Sequence, residues 1–215
     1  WSSDVCSSDL GSGWISDVQA SPQDLLQAAR QLASLHEFEM ASRVLERAVA
    51  IQQSSGEPCG ERDSVCVDLL SELAYTQQQA GNPTRALEAV NQALAIEPEM
   101  PYLYLQRANL LVDLQSPQTA LETLQAALDL PALNNEVSEH DLPVLVAIHQ
   151  QFALLLRSLG RPAEALKYAE KAMELEGDAP GRGRHLAAEI LTALLQPRRA
   201  AELLAGQDEN LENAW

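Results

Sequence analysis

The chain has 215 residues, 46% of them hydrophobic but only 4% aromatic, and a net charge of −17 from 31 acidic and 14 basic residues. That balance argues against nucleic acid, whose phosphates need clustered lysine and arginine, and against anionic membrane surfaces. No apolar run reaches the ~18 residues that a membrane-spanning helix requires.

Residues 1–20 carry a recurring Ser-Asp (Ser3-Asp4, Ser8-Asp9), no initiator Met, and neither the basic start nor the apolar middle of a secretory signal. The stretch resembles translated sequencing-adapter read-through and is expected to be a disordered or non-native tail, with Trp14 and Ile15 able to pack on the first helix pair. Ser21-Pro22-Gln23-Asp24 is a helix start: a capping serine, a proline at the first helical position and an acidic first turn. It predicts a helix to about Leu35 and a second from about Phe38 to Gln53. Ser54 to Cys66, with Gly56, Pro58 and Gly60, reads as an insertion. Cys59 and Cys66 lie within it. Three readings stay open for them: ordinary thiols, a disulfide closing a small loop in an oxidising compartment, or a zinc site still short of two ligands.

The stretch from Gly81 to Pro98 sets the pattern for the chain. Asn82 is placed to cap a helix, Pro83 sits at its first position, and Pro98 ends it. Between them Leu87, Val90 and Leu94 share a face with Ala86 and Ala93. This stretch is copied. Ala41, Ala86, Ala120, Ala165 and Ala200 are equivalent, with Pro83, Pro117, Pro162 and Pro197 three residues before four of them and Phe38 before the first. Twelve residues earlier stand Ala29, Ala74, Ala108, Ala153 and Ala188. Seven residues later stand Ala48, Ala93, Ala127 and Ala172, the last copy having Gln207. Leu32, Leu111, Leu156 and Leu191 hold a further slot that Gln77 breaks. Small residues in register let two antiparallel helices approach closely, which predicts an all-α chain, an α-solenoid of antiparallel helix pairs in which each pair rests on its neighbours. Steps along the Ala41 set are 45, 34, 45 and 35 residues, so two of them carry about 11 extra. The second excess lies at Ala132 to Glu139, before Asp141-Leu142-Pro143 opens the next helix; a loop and a helix extension both fit.

Val67 to Met100 resembles a tetratricopeptide repeat, a helix–turn–helix of about 34 residues, through Ala74 in its first helix, Gly81 in its turn, Ala86 and Ala93 in its second helix and the closing Pro98. Gly160 to Ala172 matches similarly, and His36 to Ala41 is similar to the family's Gly-x-Tyr-x-x-Ala turn with His36 in place of glycine. The family's tryptophan is absent from every copy and its tyrosine is mostly leucine. The resemblance covers roughly residues 21–206 and implies about five repeats, near 22–55, 67–100, 101–131, 142–179 and 181–206, in a right-handed superhelix, with an acidic tail at 207–215. The two lengthened repeats are similar to those of kinesin-light-chain type.

The resemblance implies a non-enzymatic scaffold for protein–protein interaction that holds a peptide or partner helix in a concave groove lined by first-helix residues. Here these are Gln27, Arg30, Asp68, Glu72, Tyr75, Tyr102, Gln106, Asn109, Gln150, Gln151 and Arg157. Amides bond extended backbone without demanding one sequence, and tyrosines offer flat contact area at low entropy cost. The family's carboxylate clamp for chaperone tails is not expected, because Leu105 stands where its lysine belongs and Asn109 alone fits. No catalytic constellation, cofactor site or metal site is found. His36, His140, His149 and His185 have no His or Cys at metal spacing. His36 and His140 read as solvated, while His149 and His185 lie on first-helix faces and are expected to line the groove. Gly181-Arg182-Gly183-Arg184 is a short basic turn, clustered weakly with Lys167, Lys171, Arg198 and Arg199. Two other functions stay in view: an accessory segment of a larger bacterial enzyme such as a transferase, and a structural array self-associating through Leu203 and Leu204 of the last repeat. The expected compartment is the cytoplasm, with the periplasm left open.

Overall fold

The computed structural model describes residues 20–54, 63–134, 137–177 and 181–205, which hold eleven helices and no strand. The expectations for both tails, for Trp14 and Ile15, for Cys59 and for most of the first insertion lie outside the described residues. The chain divides into two compact units, residues 1–98 and 99–215.

In the first unit α1 (Pro22–Ser34) packs on α2 (Phe38–Ser54), and α3 (Ser64–Gln79) on both α2 and α4 (Pro83–Ile96). The second unit opens with α5 (Pro101–Asp113), α6 (Pro117–Leu128) and the single turn α7 (Pro131–Asn134). It continues through α8 (Leu142–Ser158), α9 (Pro162–Glu176), α10 (Arg182–Ala193) and α11 (Pro197–Ala205), each packed mainly on the next one or two along the chain. Both units are built of antiparallel helix pairs, the nearest-neighbour packing of an α-solenoid.

The capping box at Ser21 forms: the Asp24 N–H donates to Ser21 Oγ at 3.2 Å, and the Ser21 N–H donates to Asp24 Oδ2 at 3.1 Å. The Ser21 hydroxyl and N–H together hold the Asp24 carboxyl below its ordinary range. Part of the first insertion is helix extension, since α3 begins at Ser64, where Asp63 accepts the N–H groups of Val65 and Cys66. Cys66 is buried and disulfide-bonded, so it is no ordinary thiol.

The alanines in register are the packing centre. Ala29, Ala41, Ala48, Ala74, Ala86, Ala93, Ala108, Ala120, Ala127, Ala153, Ala165 and Ala172 are all 0% exposed. A larger side chain at any of these would force its helix pair apart. In the leucine slot Leu111, Leu156 and Leu191 are buried, and so is Gln77, whose Nε2 donates to Glu46 Oε1 at 3.0 Å. The break in the pattern is thus a polar group that carries its partner into the core.

Every pair turns in the same way. The residue five before each second-helix alanine has positive φ: His36 62°, Gly81 80°, Gln115 56°, Gly160 73° and Leu195 59°. Around Gly81 the Asn82 N–H donates to the Gln77 carbonyl at 2.8 Å and the Gly81 N–H to the Gln78 carbonyl at 3.0 Å, a Schellman motif. The same two bonds recur at the ends of α1, α5, α8 and α10. Asn82 was expected to cap α4 through its side chain, but that side chain makes no capping bond. Its N–H is spent closing α3, and its carbonyl accepts the Ala86 N–H at 3.1 Å. One residue therefore ends one helix and starts the next through backbone alone.

Candidate functional site

In the second unit α8 and α10, the first helices of adjoining pairs, flank a trough of about 440 Å³. α8 contributes Gln150, Leu154 and Arg157, which stand three before, one after and four after Ala153. At 3.6 residues per turn those three side chains fall within a sector of about 60° beside the buried alanine stripe. From α10 and its cap come Gly181, Arg182, His185, Leu186 and Glu189.

The trough has two polar ends and an apolar middle. At one end the Glu176 carboxylate accepts the Gly183 N–H at 3.0 and 3.2 Å and Gln150 Nε2 at 2.6 Å. An anionic side chain at a helix N-terminus is a favourable placement, and here it also fixes the Gln150 amide. At the other end Arg157 Nη1 is ion-paired with Glu189. Leu154 and Leu186 lie between. His185 Nδ1 stands 3.3 Å from the Gly181 carbonyl, so Nδ1 carries the proton of that hydrogen bond. Arg182 is exposed and has no ion pair or hydrogen bond among the described residues.

The other expected groove residues are placed as follows. In the first unit Gln27 and Asp68 are exposed, and Arg30 Nε donates to Glu72 Oε2 at 3.1 Å, joining α1 to α3. Tyr75 is 42% exposed and edge-on to Phe38, with ring centroids 6.4 Å apart. In the second unit Tyr102 is exposed, and Asn109 and Gln151 are half-buried. Gln106 is buried rather than displayed; it shares the register of Leu186, two before the alanine, which is buried as well.

His149 does not line the groove. It lies about 40° to the opposite side of the alanine stripe from Arg157. It packs 5.9 Å from the Tyr168 ring, which itself stacks on Phe152 at 4.3 Å. Burial, and secondarily the Lys171 charge, push the His149 imidazole below its ordinary pKa. His185, by contrast, does line the trough, and His36 and His140 are exposed. Sequence reasoning passed over Leu154, Leu186, Glu189 and Arg182 as groove residues. The register could have found two of them, since Leu154 and Glu189 stand one after their alanines, as Arg30, Tyr75 and Asn109 do.

A second depression of about 390 Å³ lies in the first unit among α2, α3 and α4, above the Gln77–Glu46 hydrogen bond. Among the described residues no group of His, Cys, Asp and Glu could hold a metal ion, and no helix is long and apolar enough to cross a membrane.

Residues 146–178, which span most of α8 and all of α9, match the family model of the tetratricopeptide repeat. No curated protein sequence matches the chain. Among solved structures the chain is similar to a Podosopora anserina kinesin light chain of nearly identical TPR-like repeats, with a TM-score of 0.72 at 20% identity over 92% of this chain and 99% of that one. It is similar to a MamA protein, with a TM-score of 0.64 at 16% identity over 89% and 92%. It is also similar to a thermophilic TPR protein of Thermus thermophilus, with a TM-score of 0.60 at 22% identity over 88% and 91%. At these identities the likeness is one of fold.

Proposed function

For a helical-repeat protein with a tetratricopeptide repeat at residues 146–178, we propose a non-enzymatic role as a scaffold that holds an extended peptide segment of a partner protein against its first-helix faces. The observation that carries this reading is the trough between α8 and α10, where an apolar middle is bounded by oriented polar groups. Half-buried Leu154 offers area to bury above Leu186, while Gln150 and Arg157 hold fixed directions before a ligand arrives. Preorganisation of that kind lowers the ordering cost of binding. Within the second unit Tyr102 and Asn109 on α5 belong to the proposed surface, while Gln27, Arg30, Glu72 and Tyr75 on α1 and α3 are proposed as contact residues of the first unit by itself.

The test is capture of displayed random peptides by the immobilised chain, compared with Leu154→Lys, which places a charged stem in the trough. The wild type is expected to enrich a pool that Leu154→Lys fails to retain, with the helical circular dichroism of the two proteins equal. A pool retained equally by both proteins refutes this surface.

A further inference from the structure

The depression of about 390 Å³ in the first unit is walled by α2 and α4, the second helices of adjoining pairs, with α3 beneath. Each helix turns one stripe of residues toward it, at spacings of three, four and seven. Val49, Leu70, Leu73 and Ala89 make an apolar floor, of which Leu73 is half-buried and the others buried. Gln77 ends that floor; it is 4% exposed, and its Nε2 donates to Glu46 Oε1 at 3.0 Å. A carboxylate only accepts, so this bond fixes which way the amide lies. It leaves Gln77 Oε1 at the depression as an acceptor with no hydrogen bond among the described residues.

Three charged side chains line the depression: the carboxylates of Glu46 and Glu88 and the guanidinium of Arg85. None of them is in an ion pair among the described residues. The amide of Gln77 is neutral and cancels no charge, so whichever carboxylate Arg85 serves, one remains. Arg43 and Arg47 stand on α2 as well, but they do not line the depression; they are turned about 90° and 130° round the helix from its stripe. The wider setting has the same sign. Residues 21–98 hold 11 acidic residues against five arginines and no lysine, a field that draws cations.

We infer that this depression docks a lysine side chain of a partner protein, its ammonium between Glu46 and Gln77 Oε1 and its methylene stem along the floor. Leu73 and Gln77 stand four residues apart on α3, about 6 Å, which is the reach of a four-carbon stem. Aliphatic floor and acceptor end together match a side chain that buries its stem and keeps a charged tip. Arginine fits less well. Its planar fork wants both oxygens of one carboxylate, and Glu46 Oε1 is already held by Gln77, whereas an ammonium takes acceptors from separate helices. An uncharged aliphatic side chain would cover Gln77 Oε1 and the carboxylate without supplying a donor. This site does not depend on the reading of the trough between α8 and α10.

The probe is a displayed library of random nine-residue segments between Gly-Ser linkers, captured by the full chain carrying Leu154→Lys, so that segments held by the trough drop out. The retained pool is expected to be enriched about threefold or more in lysine at one position, ahead of arginine. For a synthetic capped peptide from that pool, Lys→Met in the peptide and Glu46→Gln in the protein each weaken binding about threefold to tenfold, as befits one charge-assisted hydrogen bond near the surface. Together they cost little more than either alone. Glu46→Gln keeps an acceptor for Gln77 Nε2, and Glu88→Gln, on an exposed residue, weakens binding in the same direction without touching that bond. Arg85→Gln has the opposite sign and tightens binding about twofold or more, because it removes the competing cation. A pool without lysine enrichment overturns the inference, as does a lysine peptide indifferent to both Glu46→Gln and Glu88→Gln, or one that Arg85→Gln weakens. None of these outcomes bears on the trough, which is tested by the segments that Leu154→Lys releases.

Discussion

The shared turn makes a prediction in which one position changes sign between repeats. Gly160 has φ 73°, and a Cβ added there meets nothing within 4 Å, so Gly160→Ala costs only the backbone conformation. An L-residue in the left-handed region costs about 1–2 kcal/mol, from which about 0.4–1 kcal/mol is recovered because alanine restricts the unfolded chain. The net loss is about 0.5–1 kcal/mol. Gln115 holds the equivalent place with φ 56° and an exposed side chain, so Gln115→Gly gives up no burial and gains by the same amount. In a chain of this length 1 kcal/mol moves Tm by about 2–4 °C, so each shift is about 1–4 °C, downward for Gly160→Ala and upward for Gln115→Gly. Ala126→Gly on the exposed face of α6 is the control: glycine there is expected to cost about 1 kcal/mol. Urea and thermal melts followed by circular dichroism read all three. If Gly160→Ala is neutral, or if Gln115→Gly falls with the control, the turn is not held in the left-handed region and the common geometry of the pairs has another origin.

Two further perturbations test the packing of the second unit. A Cβ on Gly183 would stand 2.7 Å from the Met173 backbone nitrogen, so Gly183→Ala should push α10 from α9 and destabilise by about 1–3 kcal/mol despite alanine's better helix propensity; a rise in the urea midpoint would show that α9 yields freely. His149 is held below the ordinary 6.5 by burial and then by Lys171, and its Nδ1 is buried without a hydrogen-bond partner. The unfolded chain therefore binds this proton more readily, and the stability linked to His149 is present above 6.5 and lost as pH falls from there through the depressed folded value. Urea melts at pH 7.5 and 5.5 should show a smaller loss for His149→Phe than for the wild type, and equal losses would remove His149 as the cause.

The buried face was legible in the sequence because its requirement is severe: at each helix crossing only a methyl group fits, so alanine recurs at Ala29, Ala74, Ala108 and Ala153 whatever surrounds it. The turn was legible only in part. Gly81 and Gly160 announce a left-handed residue, but His36, Gln115 and Leu195 adopt it too, because proline or Phe38 starts the next helix and the Schellman bonds fix the chain on both sides. Asn82 was misread for the same reason, its backbone doing what its side chain was expected to do. His149 and Gln106 were placed in the groove by polarity, although His149 packs against Tyr168 on the other side of Ala153 and Gln106 is buried.

That contrast separates what the repeat holds constant from what it leaves free. One residue after the first-helix alanine stand Arg30, Tyr75, Asn109, Leu154 and Glu189, which share nothing chemically. The alanine beside each is buried to 5% exposure or less, whereas Arg30, Tyr75 and Glu189 are exposed and Asn109 and Leu154 half-buried, so the backbone places all five alike while packing constrains their side chains far less than the alanines. Positions fixed in space and loosely constrained in chemistry are what the proposed recognition surface needs: at the exposed ones, Arg30, Tyr75 and Glu189, a substitution is expected to cost little stability, since exposed changes outside caps and turns usually stay within about 0.5 kcal/mol.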